Sequence, residues 1–307
     1  MKQYEKNLYQ KFKDNPFVYH YTSIEALFSI LEGYRQNDHY ALPFRAYSVY
    51  NTNDPREMKL GFDTVKNILP AFEKSHNDNM NLQEVYEKPE YEIECKNRCF
   101  QKPEDGLIEV GSVPYTISFA CKRDFLPMWS MYGDNKKGVC IKFDINKLID
   151  KLLGNIQLCF VHYEDNKDNI IEDYLLPALY DFDTKRNKKE LPTKDKIEEL
   201  SLLCDCIAPF VKCKDWSYEE EFRLVYHEHY GPNYADDFFR GLKIHLQLKK
   251  IKVNEYVCLP IFPDSLEEII IGPLANFAVV EHLLDNELKE CNLNRVAITP
   301  SSIQITK

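Results

Sequence analysis

Residues 213–228, Cys-Lys-Asp-Trp-Ser-Tyr-Glu-Glu-Glu-Phe-Arg-Leu-Val-Tyr-His-Glu, set three adjacent carboxylates at the mouth of an apolar run. Neighbouring carboxylates repel one another, so Glu219, Glu220 and Glu221 need water around them, or a cation, a metal or a substrate opposite them. Charge runs are mostly solvated turns. Trp216 before this run and Phe222 after it are not residues a solvated turn needs. Residues 222–226 read as a buried strand, and strand side chains alternate between faces. Phe222, Leu224 and Tyr226 then share one face with Glu220, while Glu219, Glu221, Arg223 and Val225 share the other. The expected site is therefore Glu221 beside Arg223, with Glu219 its rival for the catalytic role and Glu220 dispensable.

The rest of the chain limits what such a site can do. The 307 residues are 44% hydrophobic and 29% charged, which suits one large soluble domain spanning 1–307. Only 10 glycines are present, and no Gly-rich phosphate loop occurs, which argues against P-loop enzymes and kinases. The net charge of −10 leaves no broad cationic field for nucleic acid or anionic lipid. The polar start Met-Lys-Gln-Tyr-Glu-Lys is not a secretory leader, and no apolar run approaches the roughly 20 residues of a membrane span. A cytoplasmic protein without membrane contact is expected. The 10 cysteines form no CxxC pair, so reduced, buried thiols are expected. Zinc held by Cys204, Cys206, Cys213 and a His is the alternative.

Taken in order, an amphipathic lead-in over 1–16 precedes a strand at 17–21, and Thr22 or Ser23 caps a helix that Gly33 ends. A strand over 40–50 is followed by the turn 51–55, where Pro55 opens a helix to about Pro70. Residues 73–110 and 166–213 read as helical and loop insertions. Strands are expected at 114–121, 138–144, 156–163, 222–226, 242–248 and 268–272, with Asp144 capping the helix 145–153. A helix over 274–290 and closing strands over 296–306 complete the chain. Strands and helices mix without regular βαβ alternation, which favours α+β with a mixed, mostly antiparallel central sheet.

Three short groups supply further site candidates. In Tyr19-His20-Tyr21-Thr22-Ser23, a histidine at a strand end is placed to bond a ligand hydroxyl. In Asn53-Asp54-Pro55-Arg56-Glu57, the acids suit a helix N-terminus, while Asn53 or Arg56 could line a pocket. In Met128-Trp129-Ser130-Met131-Tyr132, aromatics at i and i+3 share a helical face, either for core packing or as a stacking platform.

These groups follow in a fixed order: His20-Tyr-Thr-Ser with Ile30-Leu31, Asn53-Asp54-Pro55 with Glu57, and Met128-Trp129 with Tyr132 and Gly138-Val-Cys-Ile. Lys214-Asp-Trp with Glu219-x-Glu221-Phe-Arg and then Ile270-Ile-Gly-Pro273 complete it. The arrangement resembles a bacterial family known as domain of unknown function 2971, over residues 17–305. Phe222 stands where that family most often has Trp.

The order His, Tyr, Glu is also similar to the H-Y-E pattern of ADP-ribosyltransferases, including toxin-like members that modify DNA and the RNA 2′-phosphotransferases. That resemblance implies an ADP-ribosyltransferase-like fold and NAD as substrate, with no metal. His20 would bond the nicotinamide ribose and Tyr132 would stack on the nicotinamide, with Tyr21, Thr22 and Trp129 as further cofactor-binding residues. Glu221 or Glu219 would be the catalytic carboxylate, Arg223 or Arg56 would meet the pyrophosphate, and Asn53 would help line the cofactor pocket. It further implies a protein or nucleic-acid acceptor and, for a toxin or phage-defence effector, an antitoxin or defence-system partner.

Two other classes fit the same residues. In a metal-dependent nuclease or hydrolase, Asp54, Glu57, Glu219 and Glu221 would gather around Mg²⁺. In a non-catalytic binding or sensor module, Arg56 and Arg223 would neutralise Glu57 and Glu221.

Overall fold

A computed structural model describes residues 12–49, 56–76, 114–150, 156–164, 206–227, 245–249 and 252–305. The elements, in chain order, are β1 (Phe17–Thr22), α1 (Ile24–Gln36), β2 (Leu42–Ser48), α2 (Glu57–His76), β3 (Pro114–Ala120), α3 (Leu126–Met131), β4 (Val139–Asp144), α4 (Ile145–Asp150), β5 (Ile156–Phe160), β6 (His162–Tyr163), β7 (Val211–Lys212), β8 (Glu221–His227), β9 (His245–Lys249), β10 (Lys252–Ile261), β11 (Leu266–Ile271), α5 (Phe277–Glu290) and β12 (Ala297–Pro300). The alternation of apolar side chains decides which face of each strand is buried. Phe222 and Leu224 of β8, Ile117 and Phe119 of β3, and Ile141 and Phe143 of β4 point into one core. Leu27 and Leu31 of α1 and Leu284 and Leu288 of α5 cover it. The result is α+β, as expected.

Ten strands form one sheet in the order β12-β11-β4-β1-β3-β2-β10-β9, with β8 on β3 and β5 on β8. Its pairings are antiparallel except β11 with β12. The register around β3 positions everything that follows. β8 pairs with β3 along its whole length, from Pro114↔His227 to Ala120↔Glu221. A strand has two edges, so β1 and β2 share the other one. β1 meets it only at Tyr19↔Ala120, and β2 only at Tyr47↔Thr116 and Ser48↔Tyr115. The sheet therefore forks, and among the described residues Ile117, Ser118 and Phe119 have no strand partner between the prongs.

Several local expectations are corrected. Gly33 does not end α1, which continues to Gln36. A Cβ at Gly33 would lie 2.6 Å from Pro43 Cγ, so the glycine serves close packing against β2. The turn after the helix is made instead by Asp38 and His39, both with positive φ. Ser23 is the N-cap, accepting from the Ala26 amide at 3.1 Å. The strand expected over 156–163 breaks at Val161, whose amide turns to the Glu221 carbonyl. Beyond the break, β6 pairs in parallel with β7 in a separate two-stranded sheet. The end of the expected helical insertion, 208–212, is a 3₁₀ turn (Ala208–Phe210) and β7. β10, outside the strands expected from the sequence, is the strand that carries β2 and β9. Residues 1–11 of the expected lead-in, the turn at 51–55 and most of both insertions lie outside the described residues.

Gly61 explains how α2 approaches the site. A Cβ there would lie 2.3 Å from Ala208 Cα, so only glycine lets the helix lie against the 3₁₀ turn before β7. Gly61→Ala is expected to destabilise the chain by about 1–3 kcal/mol through overpacking. Helix propensity alone would make it about 1 kcal/mol more stable, so a denaturant melt that finds stabilisation contradicts this packing.

Candidate functional site

The fork opens into a cavity of about 610 Å³, within the range of small-molecule sites. After Thr22 the Ser23 cap turns the chain into α1, so β1 leaves the edge of β3 just where His20 stands. The imidazole takes the place of a strand: His20 Nδ1 lies 3.0 Å from the Ser118 carbonyl oxygen, in the unpaired part of β3. A carbonyl only accepts, so Nδ1 carries the hydrogen and Nε2 is an acceptor. Phe44 of one prong and Phe119 of β3 hold the ring edge-on, with centroids 5.4 and 5.9 Å away. Burial lowers the histidine's pKa, against the opposing effect of the Ser118 bond, so the ring is neutral.

The carboxylates come from the other side of β3. A 3₁₀ turn, Lys214–Glu219, ends at Glu220, which adopts a left-handed conformation (φ 42°, ψ 56°). That single residue swings outward to pair with Lys122 at 2.6 Å. Glu219 and Glu221 turn inward to the same ammonium, Lys212 Nζ, at 2.5 and 3.0 Å. The expected separation of the three acids is thus found, but a left-handed turn produces it rather than strand alternation alone. Tyr132, at the end of α3, donates its hydroxyl to Glu219 Oε1 at 2.6 Å.

Arg223 knits the cluster together. Its Nε and Nη2 donate to the two oxygens of Glu221 at 2.6 and 3.0 Å, a bidentate pair. Its Nη1 donates to Glu57 Oε1 and to the Pro209 carbonyl. Glu57, Lys212, Glu219, Glu221 and Arg223 are all buried. Burial alone would raise the pKa of Glu221. Arg223 and then Lys212 outweigh it and hold the carboxyl down at about 2. Burial raises that of Glu57 despite Arg223. Three carboxylates here face two cations, and Glu57 Oε2 is buried without a hydrogen-bond partner among the described residues.

Of the candidates from the sequence, His20, Tyr21, Thr22, Tyr132, Glu219, Glu221 and Arg223 all line this one cavity. Trp129 does not. Its indole is fully buried and donates to Asp124 Oδ1 at 2.7 Å. Tyr21 meets its ring edge-on at 5.1 Å, so it belongs to the core beneath the site and is no stacking platform. Arg56 is exposed and away from the cavity, and Asn53 lies outside the described residues. The Tyr21 hydroxyl is occupied structurally, donating to the Lys122 carbonyl at 3.0 Å and accepting from the Phe125 amide at 2.9 Å. Lys212 was not foreseen. Its signal is a lone lysine in the apolar run 207–213, Ile-Ala-Pro-Phe-Val-Lys-Cys. Among the described residues no group of three or more His, Cys, Asp or Glu side chains could hold a metal ion. Cys213 is a buried thiol that donates to Asp215 Oδ2 at 3.5 Å, and Cys204 lies outside the described residues. No helix among the described residues is long and apolar enough to cross a membrane.

Fold and site together define an α+β protein with a ligand-sized cavity in a forked sheet, walled on one side by a buried ion-pair network. The model of the family described as "Protein of unknown function (DUF2971)" matches residues 128–224. The match takes in Tyr132, Lys212, Glu219, Glu221 and Arg223, while His20 lies before it. No curated protein and no solved structure matches the chain.

Arg223→Met leaves Glu57 and Glu221 buried without their shared cation and should cost about 3–5 kcal/mol in a denaturant melt. Glu220→Gln removes only a surface pair and should stay within about 0.5 kcal/mol. Equal effects of the two changes would contradict the network.

Proposed function

We propose that the chain is an NAD-dependent ADP-ribosyltransferase or NAD glycohydrolase. The observation that carries this reading is the convergence of His20, Tyr132, Glu219 and Glu221 on one cavity. These residues come from three separate stretches of the chain, in the His, Tyr, Glu order that resembles the ADP-ribosyltransferase pattern.

The electrostatics support a division of labour. Breaking the bond between the ribose C1′ and the nicotinamide nitrogen moves positive charge from the pyridinium ring to the ribose, as in glycoside cleavage. Nicotinamide departs neutral and needs no general acid. A carboxylate ionised at all working pH values, as Glu221 is, cannot donate a proton but can stabilise the oxocarbenium ion. Glu219, bonded to Tyr132 and Lys212, is placed to orient the incoming nucleophile, water or an acceptor hydroxyl. The bare Nε2 of His20 accepts from a ribose hydroxyl, and the Tyr132 ring covers the nicotinamide. The acceptor would be a protein or nucleic acid, and the biological setting that of a toxin or phage-defence effector. A metal-dependent hydrolase is less well supported, because Glu57, Glu219 and Glu221 meet Lys212 and Arg223 instead of one another.

One feature favours a second reading, a binding or sensor module: every acid of the buried network already has a cationic partner. Purified chain incubated with labelled NAD and candidate acceptors separates the two. Nicotinamide release or label transfer is expected, falling about 10²–10³-fold in Glu221→Gln, the scale of losing one preorganised charge partner. Tyr132→Phe, which keeps the ring and the ion pairs, should lower the rate without unfolding the chain. No release and no transfer from the folded wild-type protein would leave the binding module as the better account.

A further inference from the structure

The cavity has a second half that the reacting groups do not use. β2 pairs with β10 through Tyr47↔Tyr256 and Arg45↔Cys258. Opposed residues of an antiparallel pair share a face, and residues two apart along a strand do so as well. Arg45, Tyr47, Asn254 and Tyr256 therefore stand on one face of the β2–β10 ribbon, and Arg45, Tyr47 and Asn254 line the cavity from there.

Three cations line the cavity: Lys212, Arg223 and Arg45. The first two are neutralised by Glu57, Glu219 and Glu221. Arg45 has no carboxylate partner among the described residues. One of its five N–H groups reaches Ser29 Oγ at 3.3 Å, and its guanidinium carbon lies 5.2 Å from the centre of the Tyr256 ring. The helix α1 and an aromatic face thus orient it while most of its donors stay available. Tyr47 holds this wall firm by donating to Gln247 Oε1 at 2.9 Å. Asn254 Oδ1 is buried in the same wall with no hydrogen-bond partner among the described residues. An acceptor buried without a partner is costly unless a ligand donor reaches it.

We propose that this half of the cavity is an anion subsite, with Arg45 binding a phosphate of the substrate and Asn254 Oδ1 accepting from a neighbouring ribose hydroxyl. This assignment rests on the NAD-cleaving reading and deepens it. Polarity gives the direction of binding. The carboxylates of Glu219 and Glu221 repel phosphates and attract the pyridinium end, while Arg45 does the reverse. The substrate class is accordingly a phosphate-bearing pyridinium nucleoside, bound with its cationic ring at the fork and its phosphates toward β2 and β10. Neither Arg223, sealed into the buried network, nor Arg56, away from the cavity, can take this role.

Calorimetry of the full chain with ADP-ribose tests the subsite independently of turnover. Wild-type protein should bind ADP-ribose, and Arg45→Gln should weaken binding roughly tenfold or more, the scale of a lost hydrogen bond to a charged group. Arg45→Lys, which keeps the charge without the fork, should fall between them, with thermal melts confirming that both variants fold. If NAD is cleaved, Arg45→Gln should lower kcat/KM for NAD at least about tenfold more than for nicotinamide riboside, which has no phosphate. Wild-type protein that does not bind ADP-ribose, or variants that bind it as wild type does, would overturn the subsite. Arg45-dependent binding without cleavage of NAD would support the subsite while removing the catalytic reading. Cleavage indifferent to Arg45 would do the opposite.

Discussion

The guanidinium of Arg223 is the group on which the rest of the site depends. It stands in the middle of β8, on the face opposite Phe222 and Leu224, and meets Glu221, Glu57 and the Pro209 carbonyl at once. Through these partners it ties three distant stretches of chain to one strand: the start of α2, the 3₁₀ turn before β7, and the entrance of β8. A buried cation of this kind is not a net source of stability by itself, since desolvation offsets much of the attraction. Its effect is on arrangement. With Lys212 it fixes where the carboxylates of Glu219 and Glu221 lie, and it keeps the Glu221 carboxyl ionised although water is excluded from it.

That arrangement matters because of what the sheet does nearby. If β1 and β2 paired continuously with β3, the edge of β3 would be sealed and His20 would face a closed ladder. Their divergence leaves the Ser118 carbonyl for the His20 imidazole and opens the cavity between the prongs. Glu221 and Ala120 are register partners, as are Ala120 and Tyr19. The acid and the histidine strand are thus separated by one strand only. Two distant stretches of sequence reach the same cavity because β3 lies between them.

Much of this is legible in the sequence, and the physical reasons for success and failure differ by element. Strands with clean alternation, such as β4 and β8, declare their faces, and the need for a cation opposite Glu219 and Glu221 follows from charge repulsion alone. Which cation answers does not, because Lys212 is brought there by the parallel β6–β7 pairing, a non-local contact. Arg223 was visible as the neighbour of Glu221, and Glu57 read either as a helix-dipole residue or as a member of a carboxylate cluster; the packing of α2 on Ala208, allowed by Gly61, carries it inward to Arg223. Trp129 and Tyr132 share a helical pattern that cannot say which ring faces ligand, and the cap at Tyr132 with the Asp124 bond decides it. Arg45 and Asn254 carried no local signal, since their strands join the site through pairing with each other. The fork in the sheet, a property of register, cannot be read from any one segment.

The central claim is that the cavity in the fork receives a pyridinium nucleotide with its ribose between His20 and the Glu219–Glu221 pair. The most direct measurement is a crystal structure of the chain with a non-cleavable carbocyclic analogue of NAD. The account predicts the nicotinamide end in the fork, its ribose hydroxyls within hydrogen-bond reach of His20 Nε2 and the nearer carboxylate, and a phosphate toward Arg45. An analogue bound with its phosphates against Glu219 and Glu221, or bound outside this cavity, would contradict it.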